Sequence, residues 1–217
     1  MRKVSLIAVI VLFSFSCNNP KNSKETLSPF IDTAKGFKKD YFNKNNGKPI
    51  YWLQYCKDMA KSLGLDTLQN GASNLEIRIW YEFSRYSEKK LVIIRNKGFD
   101  WIAKVYRFDE ERANEFKNIS IKQPNPKSGW KEFMNQLFAN KILTLPRSSD
   151  LPEYPVGADG FDYIIEIATS SQYRLYDYWE PMEYEKQLPE AKNMSSILKT
   201  LEKELDVIPV PKKYTSD

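Results

Sequence analysis

A trio of glutamates beside aromatic side chains is the first group in this sequence with the residue types that chemistry uses. Glu180, Glu183 and Glu185 lie close to Trp179 and Tyr184. Two carboxylates about 5 to 10 Å apart beside aromatic rings can hydrolyse a sugar linkage. In a chain with 28 acidic residues, a local trio also arises by chance on a solvated surface. Glycan hydrolysis is therefore an alternative function for this chain, not the first one.

The segment Asp159-Gly160-Phe161-Asp162 places two carboxylates around a glycine. Carboxylate oxygens are ligands for a hard cation such as calcium, but an EF-hand needs a longer acidic series and a late glutamate. A turn closed by Asp159 with Gly160 at positive φ explains the same residues. We therefore expect a turn here, and we assign no metal ligand and no cofactor to the chain.

Composition excludes several functional classes. The 217 residues contain no histidine, which removes Ser/His/Asp and Cys/His triads and His-ligated zinc sites. No Gly-rich phosphate loop or Gly-x-Ser-x-Gly motif is present. The formal net charge of +5 is spread without a basic stripe, so we expect no nucleic-acid partner.

The start of the chain has the pattern of an export signal. Residues 1–3 are Met-Arg-Lys, and the mostly apolar stretch 4–15 follows. As a helix, that stretch rises only about 18 Å, which is too short to span roughly 30 Å of hydrocarbon. Ser16 and Cys17 come next, followed by a polar run. This segment resembles the lipobox of bacterial lipoproteins, in which such a cysteine is lipid-modified after cleavage.

The resemblance implies a membrane partner. Acyl chains on Cys17 would anchor the mature chain durably to a bacterial envelope. Asn18 is not an acidic residue of the kind that retains lipoproteins in the inner membrane, which favours an outer membrane. An ordinary signal peptide cut at the same bond, with Cys17 left as a plain thiol, is the alternative.

We divide the chain accordingly. Residues 1–16 are the predicted signal peptide, 17–26 the lipidated cysteine and a flexible tether, 27–208 a single domain and 209–217 a frayed tail. The second cysteine, Cys56, lies on one face of a predicted helix, so we expect a buried thiol. A disulfide with Cys17 is the alternative if lipidation is absent.

Hydrophobic periodicity predicts the elements of the domain. Helices are predicted at about 28–42, 49–63, 129–139 and 189–205. Strands are predicted at 75–83, 91–95, 99–108, 142–145, 161–168 and 173–179. One or two helical turns are predicted within 109–116. The order predicts an α+β fold, in which an antiparallel sheet made of a meander and a hairpin packs with amphipathic helices.

Aromatic and arginine side chains on the strands suggest a binding surface. If Leu75, Ile77 and Ile79 mark the buried face of their strand, Trp80 lies on the other face. Such residues on a rigid sheet anchor proteins or stack on sugars. A second helical layer would instead turn them into core. The candidate binding residues are Arg78, Trp80, Arg174, Tyr176 and Tyr178.

These observations predict a lipid-anchored envelope protein with a non-enzymatic module that binds a protein or a glycan. The alternatives are an envelope glycan hydrolase that uses paired carboxylates, and an immunity or inhibitor protein. Asp159-Gly160, the tyrosine-rich strand and Glu166 faintly resemble uncharacterised envelope lipoproteins from Bacteroidetes. That resemblance covers about 25 residues and implies no activity.

Overall fold

A computed structural model describes residues 38–42, 47–112, 115–155, 157 and 159–210. Cys17, the predicted signal peptide and tether, and most of the first predicted helix lie outside the described residues. The strands are β1 (Lys38–Asp40), β2 (Glu76–Phe83), β3 (Glu88–Lys97), β4 (Asp100–Arg112), β5 (Glu115–Lys122), β6 (Phe161–Ala168) and β7 (Gln172–Trp179). The α-helices are α1 (Tyr51–Ser62), α2 (Trp130–Ala139), α3 (Pro181–Tyr184) and α4 (Pro189–Leu205).

The seven strands form one sheet in the order β1-β7-β6-β2-β3-β4-β5. All neighbours run antiparallel except β1, which pairs in parallel with β7. The meander β2 to β5 and the hairpin β6–β7 are joined where β6 pairs with β2. The predicted α+β fold is therefore confirmed.

Helix α1 forms because its apolar residues recur on one face and its end is capped. Leu53, Cys56 and Ala60 are buried on that face. Gly64 adopts a φ of +66°, and the amide of Leu65 donates to the carbonyl of Ala60 at 2.8 Å. This is a Schellman cap, which favours glycine at the left-handed position. Burial raises the pKa of the Cys56 thiol well above its usual value.

Helices and loops cover both faces of the sheet. Trp80 packs in one core cluster with α1 residues, whereas Ile77 and Ile79 point to the opposite face. On that opposite face, Tyr176 donates to the carbonyl of Ile142 at 2.5 Å. The sheet therefore lies between α1 and a second layer that includes the segment 142–146 and α4. None of the helices in the described part of the chain is long and apolar enough to cross a bilayer.

This second layer contradicts the predicted binding surface. Arg78 and Trp80 are each 1% exposed, and Tyr176 and Tyr178 are fully buried. Arg174 is also largely buried, and its guanidinium donates to the carbonyl of Leu143 at 2.9 Å. Alternation also places Arg78 and Trp80 on the face opposite Arg174, Tyr176 and Tyr178. The prediction of one exposed surface is wrong because helices and loops cover both faces.

Three local predictions are also wrong, the first two because sheet pairing outweighs local propensity. Residues 38–40, expected at the end of a helix, form β1, and Asp40 pairs with Arg174 at 3.0 Å. In the segment 109–116, expected to be helical, residues 109–112 continue β4 and residues 115–116 begin β5, where the ring centroids of Phe108 and Phe116 lie 4.6 Å apart. The segment 142–145, expected to be a strand, is a turn without ladder partners among the described strands.

Candidate functional site

A cleft of about 760 Å³ opens beside the amino end of α1, on the sheet face that this helix covers. Carboxylates and aromatic rings dominate its walls. The described carboxylates that line it are Asp58, Glu82, Glu110, Asp162 and Asp177. The described aromatic residues that line it are Tyr51, Trp52, Tyr55, Tyr154 and Trp179.

Strand register brings three of the carboxylates together. Glu82 on β2 lies directly opposite Asp162 on β6, and Asp162 lies directly opposite Trp179 on β7. Directly opposite residues of antiparallel strands have Cβ atoms about 4.5 to 5.5 Å apart. Asp177 lies two residues before Trp179 and points to the same face. The floor of the cleft is therefore a cluster of carboxylates on three neighbouring strands.

Glu82 is held by donors on both sides. The hydroxyl of Tyr55 donates to one of its oxygens, and the ammonium of Lys89 donates to the other. Lys89 is itself buried, and it also donates to the carbonyl of Phe83 at 3.2 Å. Burial and the adjacent Glu82 carboxylate raise the pKa of Tyr55 well above its usual value, so this phenol remains a donor.

Asp162 has the most perturbed environment of the three. None of the described residues donates a hydrogen bond to its carboxylate. Burial, and then the nearby charges of Asp177 and Glu82, raise its pKa to about 7. Asp162 therefore exchanges a proton close to neutral pH, which is the condition for acid or base work in an environment without histidine.

Asp177 is buried more deeply but has donors. Ser148 donates its hydroxyl to Asp177 at 3.1 Å, and Trp52 also donates to this carboxylate. Burial raises the pKa of Asp177, and the two donors oppose the rise. Trp52 thus belongs both to the aromatic wall and to the network under it.

The aromatic residues form walls around this floor. Tyr51 is 76% exposed at the rim, with its ring 5.1 Å from that of Trp52. On the other side, the indole of Trp179 lies against Gly157, where an added Cβ would come within 2.0 Å of a ring carbon. Gly157 is therefore required for this position of Trp179.

The residues that the sequence singled out for hydrolysis lie elsewhere. Glu166 is buried under α1, where it accepts from Trp80 at 2.7 Å and Tyr173 at 2.8 Å. Glu180 does not line the cleft and accepts from a backbone amide. Glu185 pairs with Lys199 at 2.6 Å. The structure therefore divides the predicted trio: Glu180 and Glu183 line a different cavity, of about 720 Å³, and Glu185 is not part of it.

Sequence reasoning singled out Asp162 as part of a turn but did not bring it together with Glu82. The pairing of β2 with β6 joins residues 80 positions apart, and no local pattern specifies it. The aromatic residues of α1 did carry a signal, because Tyr51, Tyr55 and Asp58 follow the three-to-four-residue spacing of a single helix face. That signal was missed.

The described residues contain no group of three or more acidic, cysteine or histidine side chains arranged to hold a metal ion. No protein family, curated protein or solved structure matches this chain. The chemistry of the cleft is therefore read from its own residues. Its rings offer stacking surfaces, its carboxylates accept hydrogen bonds, and none of the described residues that line it is a lysine or arginine.

Proposed function

We propose that this chain is a glycan-binding module that uses the cleft at the amino end of α1. The observation that carries the proposal is the presence of the exposed ring of Tyr51, further partly buried aromatic rings and carboxylates in one open cleft. Sugar rings present apolar faces that stack on aromatic side chains, and hydroxyls that donate to carboxylates. A volume of about 760 Å³ lies within the usual range for small-ligand sites.

The charge of the cleft restricts the class of glycan. Five described carboxylates line it, and Lys89, whose ammonium pairs with Glu82 and lies 3.9 Å from Glu110, does not line it. Like charges brought together at short distance repel each other and suppress wrong partners. The ligand is therefore a neutral or amino sugar, not a uronic acid or phosphorylated glycan.

The setting we propose is a bacterial envelope, with the domain held to the membrane by lipid on Cys17. The support for it is the lipobox-like sequence at residues 14–17. Labelled palmitate should enter the wild-type chain and not the Cys17→Ala variant, which should no longer sediment with envelopes. Equal sedimentation of the two proteins would contradict the anchor without affecting the proposal for the cleft.

Calorimetric titration with three sets of oligosaccharides tests the binding proposal. The sets are neutral hexoses, N-acetylhexosamines and uronic acids. Tyr51→Ala should weaken binding of a neutral or amino sugar by about tenfold, because it removes an exposed stacking ring. Phe99→Ala is the matched control, since Phe99 is fully exposed at the β3–β4 turn, away from the cleft. Preference for uronic acids, or equal effects of the two variants, would contradict the proposal.

Hydrolysis of the bound glycan is the second candidate, because Asp162 and Glu82 have different environments. Asp162 has a pKa raised to about 7, whereas Glu82 faces an ammonium and a phenol. A carboxylic acid with a raised pKa beside a second carboxylate is the arrangement of retaining glycosidases. Asp162 would protonate the glycosidic oxygen while Glu82 attacks the anomeric carbon, and water would then release the sugar from Glu82.

Release of reducing ends from the bound glycan distinguishes the two candidates. A binding module releases none, whereas an enzyme releases them in the wild type and loses the activity in Asp162→Asn and Glu82→Gln. Binding should be measured in the same variants, so that loss of turnover is separated from loss of affinity.

A further inference from the structure

A second cavity, of about 200 Å³, lies at the other end of α1. The residues that follow the helix, Gly64 to Asp66, form one wall. Strands β2, β3 and β4 form the opposite wall and contribute three cationic side chains, Arg78, Arg95 and Lys104. Asp66 is the one carboxylate among the described residues that line it. We refer to this cavity as the basic pocket.

Strand register places the three cations together. Arg78 is opposite Ile93, which in turn is opposite Lys104, so these three residues form one row across the sheet. Arg95 lies two residues after Ile93 on β3 and therefore points to the same face. The cations lie close together because the strand pairing is regular here, and their position does not depend on a loop.

One carboxylate under the pocket accepts hydrogen bonds from only some of the donor atoms of the two arginines. Glu76 accepts from the Nε atom of Arg78 at 2.8 Å and from the Nε atom of Arg95 at 2.6 Å. Arg78 is 1% exposed, and its Nη1 atom has no hydrogen-bond partner among the described residues. A buried donor without a partner costs about 1 to 3 kcal/mol, and more for a charged group. Such a group calls for an acceptor that the protein itself does not supply.

The other two cations are also available. Lys104 forms no ion pair with any described residue, and the side chain of Arg95 is 40% exposed. An adjoining cavity of about 320 Å³ shares Arg78, Arg95 and Asp66 but adds Glu76. Glu76 pairs with both shared arginines, so the difference in charge between the two cavities is Lys104, which lines only the basic pocket. We therefore expect an anion to bind in the basic pocket and not in the adjoining cavity.

We propose that the basic pocket binds a small oxyanion, namely a phosphate, sulfate or carboxylate group. Guanidinium groups bind these planar or tetrahedral oxyanions through paired donors, and Lys104 adds a point charge. The volume equals that of about seven waters at roughly 30 Å³ each, which admits one such group but not a nucleotide. This ligand is an anion, whereas the ligand proposed for the cleft is a neutral or amino sugar, and the two cavities share no lining residue, so the pocket is a separate site.

Titration of the full chain with sodium phosphate, with sodium chloride at matched ionic strength as the reference, tests the proposal. Phosphate should produce saturable shifts of amide resonances around residues 64–66 and 102–106. Lys104→Gln should weaken phosphate binding about tenfold, and Arg95→Gln should do the same. Lys97→Gln is the matched control, because Lys97 is exposed on the same strand as Arg95 but does not line the pocket.

Both tested side chains are partly exposed, so circular dichroism should report folded variants and a loss of affinity should be assignable to the pocket. Sodium acetate and glycerol phosphate are further arms of the titration. Tighter acetate binding identifies a carboxylate ligand, and equal binding of glycerol phosphate and phosphate identifies a phosphomonoester. No saturable response to any of these anions beyond that of chloride would overturn the proposal, as would equal binding by Lys104→Gln and Lys97→Gln.

Discussion

The acidic cleft and the basic pocket occupy the same face of the sheet, at opposite ends of α1. The cleft is lined by five described carboxylates and no described lysine or arginine, whereas the pocket is lined by three cations and one carboxylate. The amino end of α1 lies at the cleft and its carboxyl end near the pocket. A helix carries partial positive charge at its amino end and partial negative charge at its carboxyl end. Each end of α1 therefore faces side chains of the opposite sign.

The two regions differ in how their charges are compensated. In the cleft, Asp162 lacks a donor from the described residues, and its pKa is raised to about 7. In the pocket, Glu76 compensates two arginines through their Nε atoms and leaves an Nη atom of Arg78 unpaired. Each region thus has one polar group without a hydrogen-bond partner among the described residues, and a ligand can supply that partner. The comparison suggests that one covering helix divides a polar sheet face into two sites of different specificity.

The residue between the two regions should give the largest effect. Trp80 lies between Arg78 and Glu82 on β2, is 1% exposed and donates to Glu166. Trp80→Ala should lower the free energy of unfolding by about 3 to 5 kcal/mol, because it leaves a cavity and removes a donor from a buried carboxylate. Urea denaturation measures the change in the free energy of unfolding, with Phe99→Ala as the control. A loss below about 1 kcal/mol would show that Trp80 is not part of the core.

Removal of the perturbed carboxylate should have a pH-dependent effect. The pKa of folded Asp162 is about 7, above its usual value, so between about pH 4 and pH 7 the folded chain holds a proton that the unfolded chain releases. Wild-type stability should therefore fall as the pH rises through this window. Asp162→Asn should be more stable than wild type by about 2 kcal/mol at pH 8 and close to it at pH 4.

Urea denaturation of both proteins at several pH values measures this difference. Asp100→Asn provides the control, because Asp100 is exposed at the start of β4 and does not line the cleft. A constant difference between Asp162→Asn and wild type across the pH range would contradict the raised pKa.

If the two sites are independent, a substitution in either site should weaken only the ligand of that site. Tyr51→Ala should weaken glycan binding about tenfold and leave phosphate binding unchanged, and Lys104→Gln should do the reverse. Tyr51 is the first residue of α1, which is about 18 Å long, and Lys104 lines the pocket at the other end of this helix. Distant sites usually act additively. Calorimetry with both ligands on both variants measures this. If each variant weakened both ligands, the two regions would be one coupled site.

Local patterns predicted much of the fold but little of the site. The alternation in β2, the Cys56 face of α1 and the period of α4 are carried by neighbouring residues, and all three elements were predicted. The position of α1 on the sheet and the β2–β6 pairing depend on distant residues. Without these long-range contacts, the sequence placed Trp80 on the surface and did not indicate that Glu82 and Asp162 are neighbours.

The smallest effect should come from a substitution at Gly157, which tests whether Trp179 contributes to glycan binding in the cleft. A Cβ at this position would lie 2.0 Å from the indole of Trp179, so Gly157→Ala must displace the ring or the loop. Gly157 is only half-buried, which limits the stability loss, and we expect glycan affinity to fall about threefold with phosphate affinity unchanged. Calorimetry with both ligands measures it. Unchanged glycan affinity would mean that Trp179 borders the cleft without contacting the sugar, and stacking would then depend on the α1 wall alone.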